Sequence, residues 1–287
     1  MKVLKAALLG RSLDHSISPQ VQSALFPIFL AKLNTDFDSI DYSNIECADK
    51  EEFLSVVSNG VKNGFAGFNV TFPYKYIAST LATDSIVRQI NSANTIKCGN
   101  PDRIISTDGL GFRFALDKSL LELDASRYSF TILGNGGAAR AVQSATGDFG
   151  WQHITIASRL NPEKPNPDIF SLTSVKRDEY KQFVVQATPV GQRTREAHLE
   201  DFDWKDGDIA VDLVYNPLRT RFLDIAASKG AHTIDGLGML IEQAALSQYF
   251  WMTGNESRES LLTDSEHKLL HNSLSKLLTP RWDDFAS

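Results

Sequence analysis

"YSFTILGNGGAARAV", residues 128–142, runs from an apolar strand through a glycine-rich turn into a helix. Gly134, Gly136 and Ala139 fall at the G-x-G-x-x-G/A spacing, directly after the strand, where this pattern carries a dinucleotide. The first glycine permits a tight turn, the second lets backbone approach a pyrophosphate, and Ala139 is small enough for close helix–strand packing. Gly137 and Ala138 sit at the helix opening, where N–H groups and a partial positive charge suit phosphate. A purely structural glycine turn accounts for less of this context.

The next strand, "HITIASR", ends about 20 residues after the glycines, where a ribose-reading residue is expected. An acid there would hold the ribose hydroxyls of NAD or of S-adenosylmethionine. The chain instead has Ser158 and Arg159. A guanidinium pairs with a 2′-phosphate that a carboxylate would repel, so NADP is expected over NAD. "KQFVVQATPVG" and "DIAVDLVY" read as further strands of the same unit, and the proline-rich "RLNPEKPNPDIF" as a loop on it.

A second series of elements precedes this one. "VLKAALLG" is a strand, and "SPQVQSALFPIFLAKL" has helical spacing. Ser18 is a candidate cap, Pro19 suits the first turn, and Pro27 is a point of bend or break. "DFDSIDYSNI" is a strand and "CADKEEFLSVVSNGVKNG" a helix. "GFNVTF", residues 67–72, is a strand whose apolar set is Phe68, Val70 and Phe72, ended by Pro73 and followed by a lone Lys75. "YIASTLATDSIVRQINSANTI" carries helical spacing and then a strand. Strands alternating with helices predict an α/β fold with parallel pairs, with a boundary near residues 109–112. The C-terminal part holds a long amphipathic helix within "AHTIDGLGMLIEQAALSQYFWMTG" and a last helix within "ESLLTDSEHKLLHNSLSKLL".

The chain has 287 residues, enough for two ordinary domains. A net charge of −6 gives no general reason to bind nucleic acid or an anionic membrane. Cys47 and Cys98 lack metal-ligand spacing, so two reduced thiols and no metal are expected. The N-terminal apolar run is too short for a signal peptide, and no segment approaches the roughly 20 apolar residues of a membrane span. A cytoplasmic protein, monomeric or homodimeric, is the expectation.

Polar residues gather at the ends of apolar segments in the first series: Ser16, Ser18, Thr71, Lys75, Asn94 and Asp108. Singly, each is more often a cap or turn residue. Together they suit a polyhydroxylated carboxylate. "HSISP", "GFNVTFPYK", "SANT", "STDGLGF", "LGNGGAARAV", "DLVYNPLRT" and "DGLGMLIEQAA", in this order and over nearly the whole chain, resemble the motifs of the shikimate dehydrogenase family, including its quinate relatives. That resemblance implies a discontinuous substrate domain (1–109 and 238–287) beside a Rossmann-type NADP-binding domain (110–237), the C-terminal helices returning to the substrate domain. It implies that Ser16 and Ser18, with Tyr215, hold the substrate carboxylate. Thr71, Lys75, Asn94, Asp108 and Gln243 would surround the ring hydroxyls, with Lys75 and Asp108 as the catalytic pair. Ala187, Thr188, Gly236 and Met239 would line the nicotinamide side.

The implied reaction is reversible hydride transfer from NADPH to the 3-keto group of 3-dehydroshikimate, giving shikimate. The residues are coherent with it, because a protonated lysine can stabilise the alkoxide and donate the proton it needs. Asp108 is expected mainly to orient the lysine and a substrate hydroxyl. The chain departs from the family pattern in lacking the proline three residues before His15. Gln22 stands where a histidine is common, Ser106 replaces an asparagine and Gln192 a methionine. Beyond Arg159 the second basic residue of the cofactor motif, Lys164, is one place out of step.

Overall fold

The computed structural model describes residues 2–14, 16–120, 123–159 and 169–279. The chain divides into two compact units, Met1–Phe114 with Ile241–Leu270, and Ala115–Leu240 with His271–Ser287. This division takes the chain from His271 onward into the second unit, whereas the family resemblance implies that it belongs with the first. Local bonds account for this: His271 Nε2 lies 3.0 Å from Asp235, and the Leu218 N–H donates to the Thr279 carbonyl at 2.9 Å.

The first unit contains β1 (Val3–Gly10), α1 (Ser18–Lys32), β2 (Ser39–Glu46), α2 (Lys50–Ser58), β3 (Gly67–Val70), α3 (Lys75–Leu81), α4 (Ser85–Ile90), β4 (Thr95–Lys97) and β5 (Arg103–Ile105). Its sheet has the order β2-β1-β3-β4-β5. β1 is parallel to β2 and β3, but β4 runs antiparallel to both β3 and β5. The sheet is thus mixed. The three-residue β5 went unread because so short a run carries no periodicity.

Alternate residues of β1 serve two cores. Leu4 and Ala6 pack with Phe26, Phe250 and Trp251, while Ala7 and Leu9 pack with Phe53, Phe68 and Tyr74. Burial on both faces explains why Ala6–Leu9 of β1 is a continuous apolar run rather than an alternating one. Gly67 allows one close approach. A β-carbon there would stand 2.2 Å from Trp251 Nε1, whose N–H donates to the Ile96 carbonyl at 2.9 Å. Gly67→Ala is expected to lower stability by about 1–3 kcal/mol. This would appear as a lower denaturant midpoint at unchanged slope, and an unchanged midpoint would refute it.

Four readings of this unit are corrected. α1 runs through Pro27 without interruption, and Ser18 is its first residue, not a cap; the flanking Ile17 makes no side-chain cap bond. β3 ends at Val70, not at Pro73; beyond it the Thr71 N–H still donates to Leu9 O at 2.9 Å, and the Phe72 carbonyl accepts from the Arg11 N–H, past the end of β1, at 3.3 Å. Phe72 is 78% exposed and is no part of the buried set.

The second unit is built on β6 (Tyr128–Leu133), α6 (Gly137–Thr146), β7 (His153–Ser158), β8 (Ile169–Ser171), β9 (Lys181–Gln186), β10 (Ile209–Asp212), α7 (Arg221–Ser228) and β11 (His232–Ile234). Before it, α5 spans Asp108–Ser119; after it come α8 (Leu237–Thr253) and α9 (Asp264–Leu274). The sheet order is β11-β10-β9-β6-β7-β8, and every recorded pairing is parallel. The doubly wound arrangement puts β6 between β7 and β9, so ligands are expected at the carboxyl ends of these strands. α8 is not amphipathic: polar Glu242, Ser247 and Gln248 are as buried as Leu237, Ile241 and Phe250.

Candidate active site

The antiparallel hairpin β4–β5 brings the first site together. Because β4 opposes β3, its start lies beside the end of β3, with Asn69 opposite Thr95. Because β5 opposes β4, its end returns to the same edge, with Thr95 opposite Ile105. Thr71 and Lys75 after β3, Asn94 before β4 and Asp108 after β5 therefore share one edge of the sheet.

Lys75 is the first residue of α3. It follows Tyr74, which is buried, stacks on Phe53 at 4.8 Å and donates its hydroxyl to the Cys47 carbonyl at 2.6 Å. The Lys75 carbonyl accepts from the Ala93 N–H at 3.0 Å, which ties it to the segment carrying Asn94. Its ammonium donates to Asp108 Oδ2 at 2.7 Å; the two side chains are 20% and 5% exposed. Asp108 opens α5, where a carboxylate is favoured by the helix dipole. Asn94 donates to the other Asp108 oxygen at 2.9 Å and to Gln243 Oε1 on α8 at 3.0 Å. Thus Lys75, Asn94, Asp108 and Gln243 form one hydrogen-bonded group, with the lysine the more open to solvent of the ion pair.

A buried polar layer supports this group. The Asn69 amide donates to the Asn94 carbonyl at 3.2 Å and to Ser247 at 3.0 Å, and accepts from the Tyr42 hydroxyl at 2.8 Å. Ser247 also lies 2.7 Å from Thr95. Gln22 donates to Asn69 at 3.3 Å and accepts from Gln248 at 2.8 Å, so the residue that departs from the family pattern is a satisfied buried amide. Of this layer, Asn69 lies within a quoted motif but had no role assigned, and Ser247 was missed. Its only sequence signal was a serine one turn after Gln243 in a largely apolar helix.

Ser16 and Ser18 are joined to each other, with oxygens 3.0 Å apart. They share that local geometry but have no recorded bond to the Lys75 group. Thr71 accepts from the Tyr74 N–H through its carbonyl at 2.9 Å, closing the turn into α3. Tyr215, Gly236 and Met239 belong to the second unit. A β-carbon on Gly236 would stand 2.5 Å from the Leu213 carbonyl oxygen, so that glycine has a packing reason of its own. His15 and Lys164 lie outside the described residues.

In the second unit Gly134 has φ +120°, a region open mainly to glycine. A β-carbon there would stand 3.0 Å from the Ala187 carbonyl oxygen and 3.2 Å from Thr188 Cγ2. Gly136 flanks α6, and a β-carbon on it would meet nothing within 4 Å, leaving the open space that a pyrophosphate requires. α6 begins at Gly137 and Ala138 with no side-chain cap and no acid in its first turn. Its first amides thus have neither a competing acceptor nor a repelling charge. Ser158 ends β7, and Arg159 beyond it is exposed. The residues present fit a phosphorylated dinucleotide.

Both cysteines are free, and burial pushes the Cys47 and Cys98 thiols up to about 11 and about 12. No group of His, Cys, Asp and Glu among the described residues could hold a metal ion, and no helix among them is long and apolar enough to cross a membrane.

A family model described as the shikimate dehydrogenase substrate binding domain matches residues 8–96. A shikimate dehydrogenase (NADP(+)) of Caldicellulosiruptor saccharolyticus is 32% identical over 266 residues, 86% of this chain and 91% of that protein. One from Moorella thermoacetica is 33% identical over 275 residues, 88% of each chain. Among solved structures, shikimate dehydrogenase 1 from Peptoclostridium difficile superposes with a TM-score of 0.76 at 28% identity, over 97% of this chain and 100% of the other. The Thermus thermophilus enzyme in complex with NADP(H) and shikimate gives 0.72 at 25% identity, over 94% and 99%.

Proposed function

Since the chain belongs to the shikimate dehydrogenase family, we propose that it catalyses the reversible, NADP-dependent interconversion of 3-dehydroshikimate and shikimate. The observation that carries the chemistry is the Lys75–Asp108 ion pair, 2.7 Å long and bonded through Asn94 to Gln243. The first unit is the substrate domain, and the second, with its glycine turn and Arg159, binds the cofactor. When bound, NADPH supplies the hydride. What the protein must provide is charge and a proton at the ketone oxygen. Lys75 stabilises the negative charge forming there and delivers the proton, as a positioned ammonium can. Asp108 accepts from Lys75 and holds it in one direction, while Asn94 fixes the carboxylate and is itself held by Gln243, and the two amides serve the ring hydroxyls. Ser16 and Ser18 receive the substrate carboxylate. The protein works in the cytoplasm, as a monomer or homodimer.

Steady-state rates with shikimate and with quinate, each with NADP+ and NAD+, test the assignment. The shikimate–NADP+ pair is expected to have the highest kcat/KM. Quinate carries an extra hydroxyl beside its carboxylate, so discrimination is expected at the two serines, where an unpaired polar group is costly. Higher efficiency on quinate with NAD+ overturns the substrate and cofactor assignment. No NADP+-linked oxidation of shikimate overturns the enzymatic one.

A further inference from the structure

Beyond β9 the chain folds back so that His198 Nε2 lies 3.1 Å from the Thr188 hydroxyl. Thr188 Oγ1 in turn donates to Gln186 Oε1 at 2.8 Å. The buried Gln186 amide is oriented by its own Nε2, which donates to the Val190 carbonyl at 2.9 Å. With its proton given to Gln186, the Thr188 hydroxyl accepts from His198, so the ring carries a proton on Nε2. Nδ1 has no hydrogen-bond partner among the described residues. The next residue, Leu199, has φ +60°, an unfavourable region for a branched side chain, yet it packs against the Phe202–Trp204 cluster. Such strain persists only where surrounding structure enforces it, and it clusters at ligand sites.

Topology puts this histidine near the ribose-reading end of the sheet. Leu133 at the end of β6 is in register with Ala157 of β7 on one side and Gln186 of β9 on the other. Gly134 is therefore flanked by Arg159 on the β7 side and by the Thr188–His198 pair on the β9 side. The electrostatics agree. Burial holds the imidazole below its ordinary range, Arg159 lowers it further, and Glu196 opposes them. Among the described residues these are the charged groups whose field registers at His198. Burial and the Arg159 guanidinium thus both disfavour the charged form of this imidazole. A phosphate dianion placed beside Arg159 reverses that field and favours the imidazolium.

We propose that His198 is a second recognition residue for the 2′-phosphate of NADP, taking up a proton as the phosphate binds beside Arg159. The inference rests on the NADP reading above and adds a residue that no motif in the sequence singles out. It makes cofactor preference a two-cation device, with Arg159 permanently charged and His198 charged on demand.

The test is calorimetric binding of NADP+ and NAD+ to the full chain and to His198→Gln. Glutamine keeps an N–H for Thr188 but cannot become a cation. Loss of one charge-assisted contact is expected to weaken NADP+ by about tenfold, with NAD+ changed by less than about twofold. Binding heats compared between HEPES and Tris at one pH should show greater proton uptake with NADP+ for the wild type than for His198→Gln. Unchanged NADP+ affinity, or equal weakening of NADP+ and NAD+, overturns the proposal, the latter because the residue would only brace its loop. If the wild type itself binds NADP+ no better than NAD+, the cofactor reading fails and this inference with it. If that preference stands and His198→Gln retains it, the inference alone fails.

Discussion

Lys75→Ala lowers kcat by about 10²- to 10⁴-fold, the usual scale for a positioned acid–base group. The KM for shikimate is expected to change far less. The lysine's contribution grows as charge develops on the substrate oxygen, so kcat and kcat/KM should fall together. The local structure should tolerate the change. Lys75 is the more exposed member of its pair, and α3 is anchored by the buried Tyr74 before it rather than by the lysine side chain. A folded variant with turnover within about tenfold of wild type would remove Lys75 from the catalytic assignment.

Asp108→Ala is expected to lower kcat by about 10²- to 10³-fold and to destabilise the protein as well. The side chain is almost wholly buried and accepts from both Lys75 and Asn94. Its removal leaves an ammonium without its counter-charge and takes one of the acceptors of the Asn94 amide, which keeps Gln243; breaking a buried pair this way costs about 3–5 kcal/mol. Asp108→Asn separates the two effects. It keeps the shape and a neutral acceptor, so it should recover much of the thermal midpoint while turnover stays low. If Asp108→Asn turns over as fast as wild type, the carboxylate charge has no role in the reaction. The double variant Lys75→Ala/Asp108→Ala should be little worse than Lys75→Ala alone, since residues acting as a unit are not additive. Additive losses would mean that the two act separately.

Elements with strong local signals were legible in the sequence. β6, the turn at Gly134 and Gly136, and α6 occur where the spacing put them, and Arg159 follows β7 as expected. The 17-residue α8 and the start of α9 were also readable, though α8 as amphipathic and α9 as its last helix reaching back to one unit only. β5 was not readable, nor was α7 anticipated: a three-residue strand and an eight-residue helix carry too few periods to stand out. Phe72 looked like the last buried residue of a strand because alternation continues through it, whereas the ladder had already ended at Val70.

The site divides in the same way. Residue types at the ends of apolar segments singled out Lys75, Asn94 and Asp108, the family resemblance added Gln243, and the ordered motifs of the whole chain pointed to the family. The sequence by itself thus determined the set of chemical groups and the cofactor class, since glycine spacing and a strand-end arginine are local features. Only the tertiary structure decided which groups touch. The Lys75–Asp108 bond and the Asn69–Ser247 layer beneath it join distant segments. Such contacts depend on strand order and on the reversal of β4 and β5. Periodicity records which face of an element is buried, but not which other element it meets.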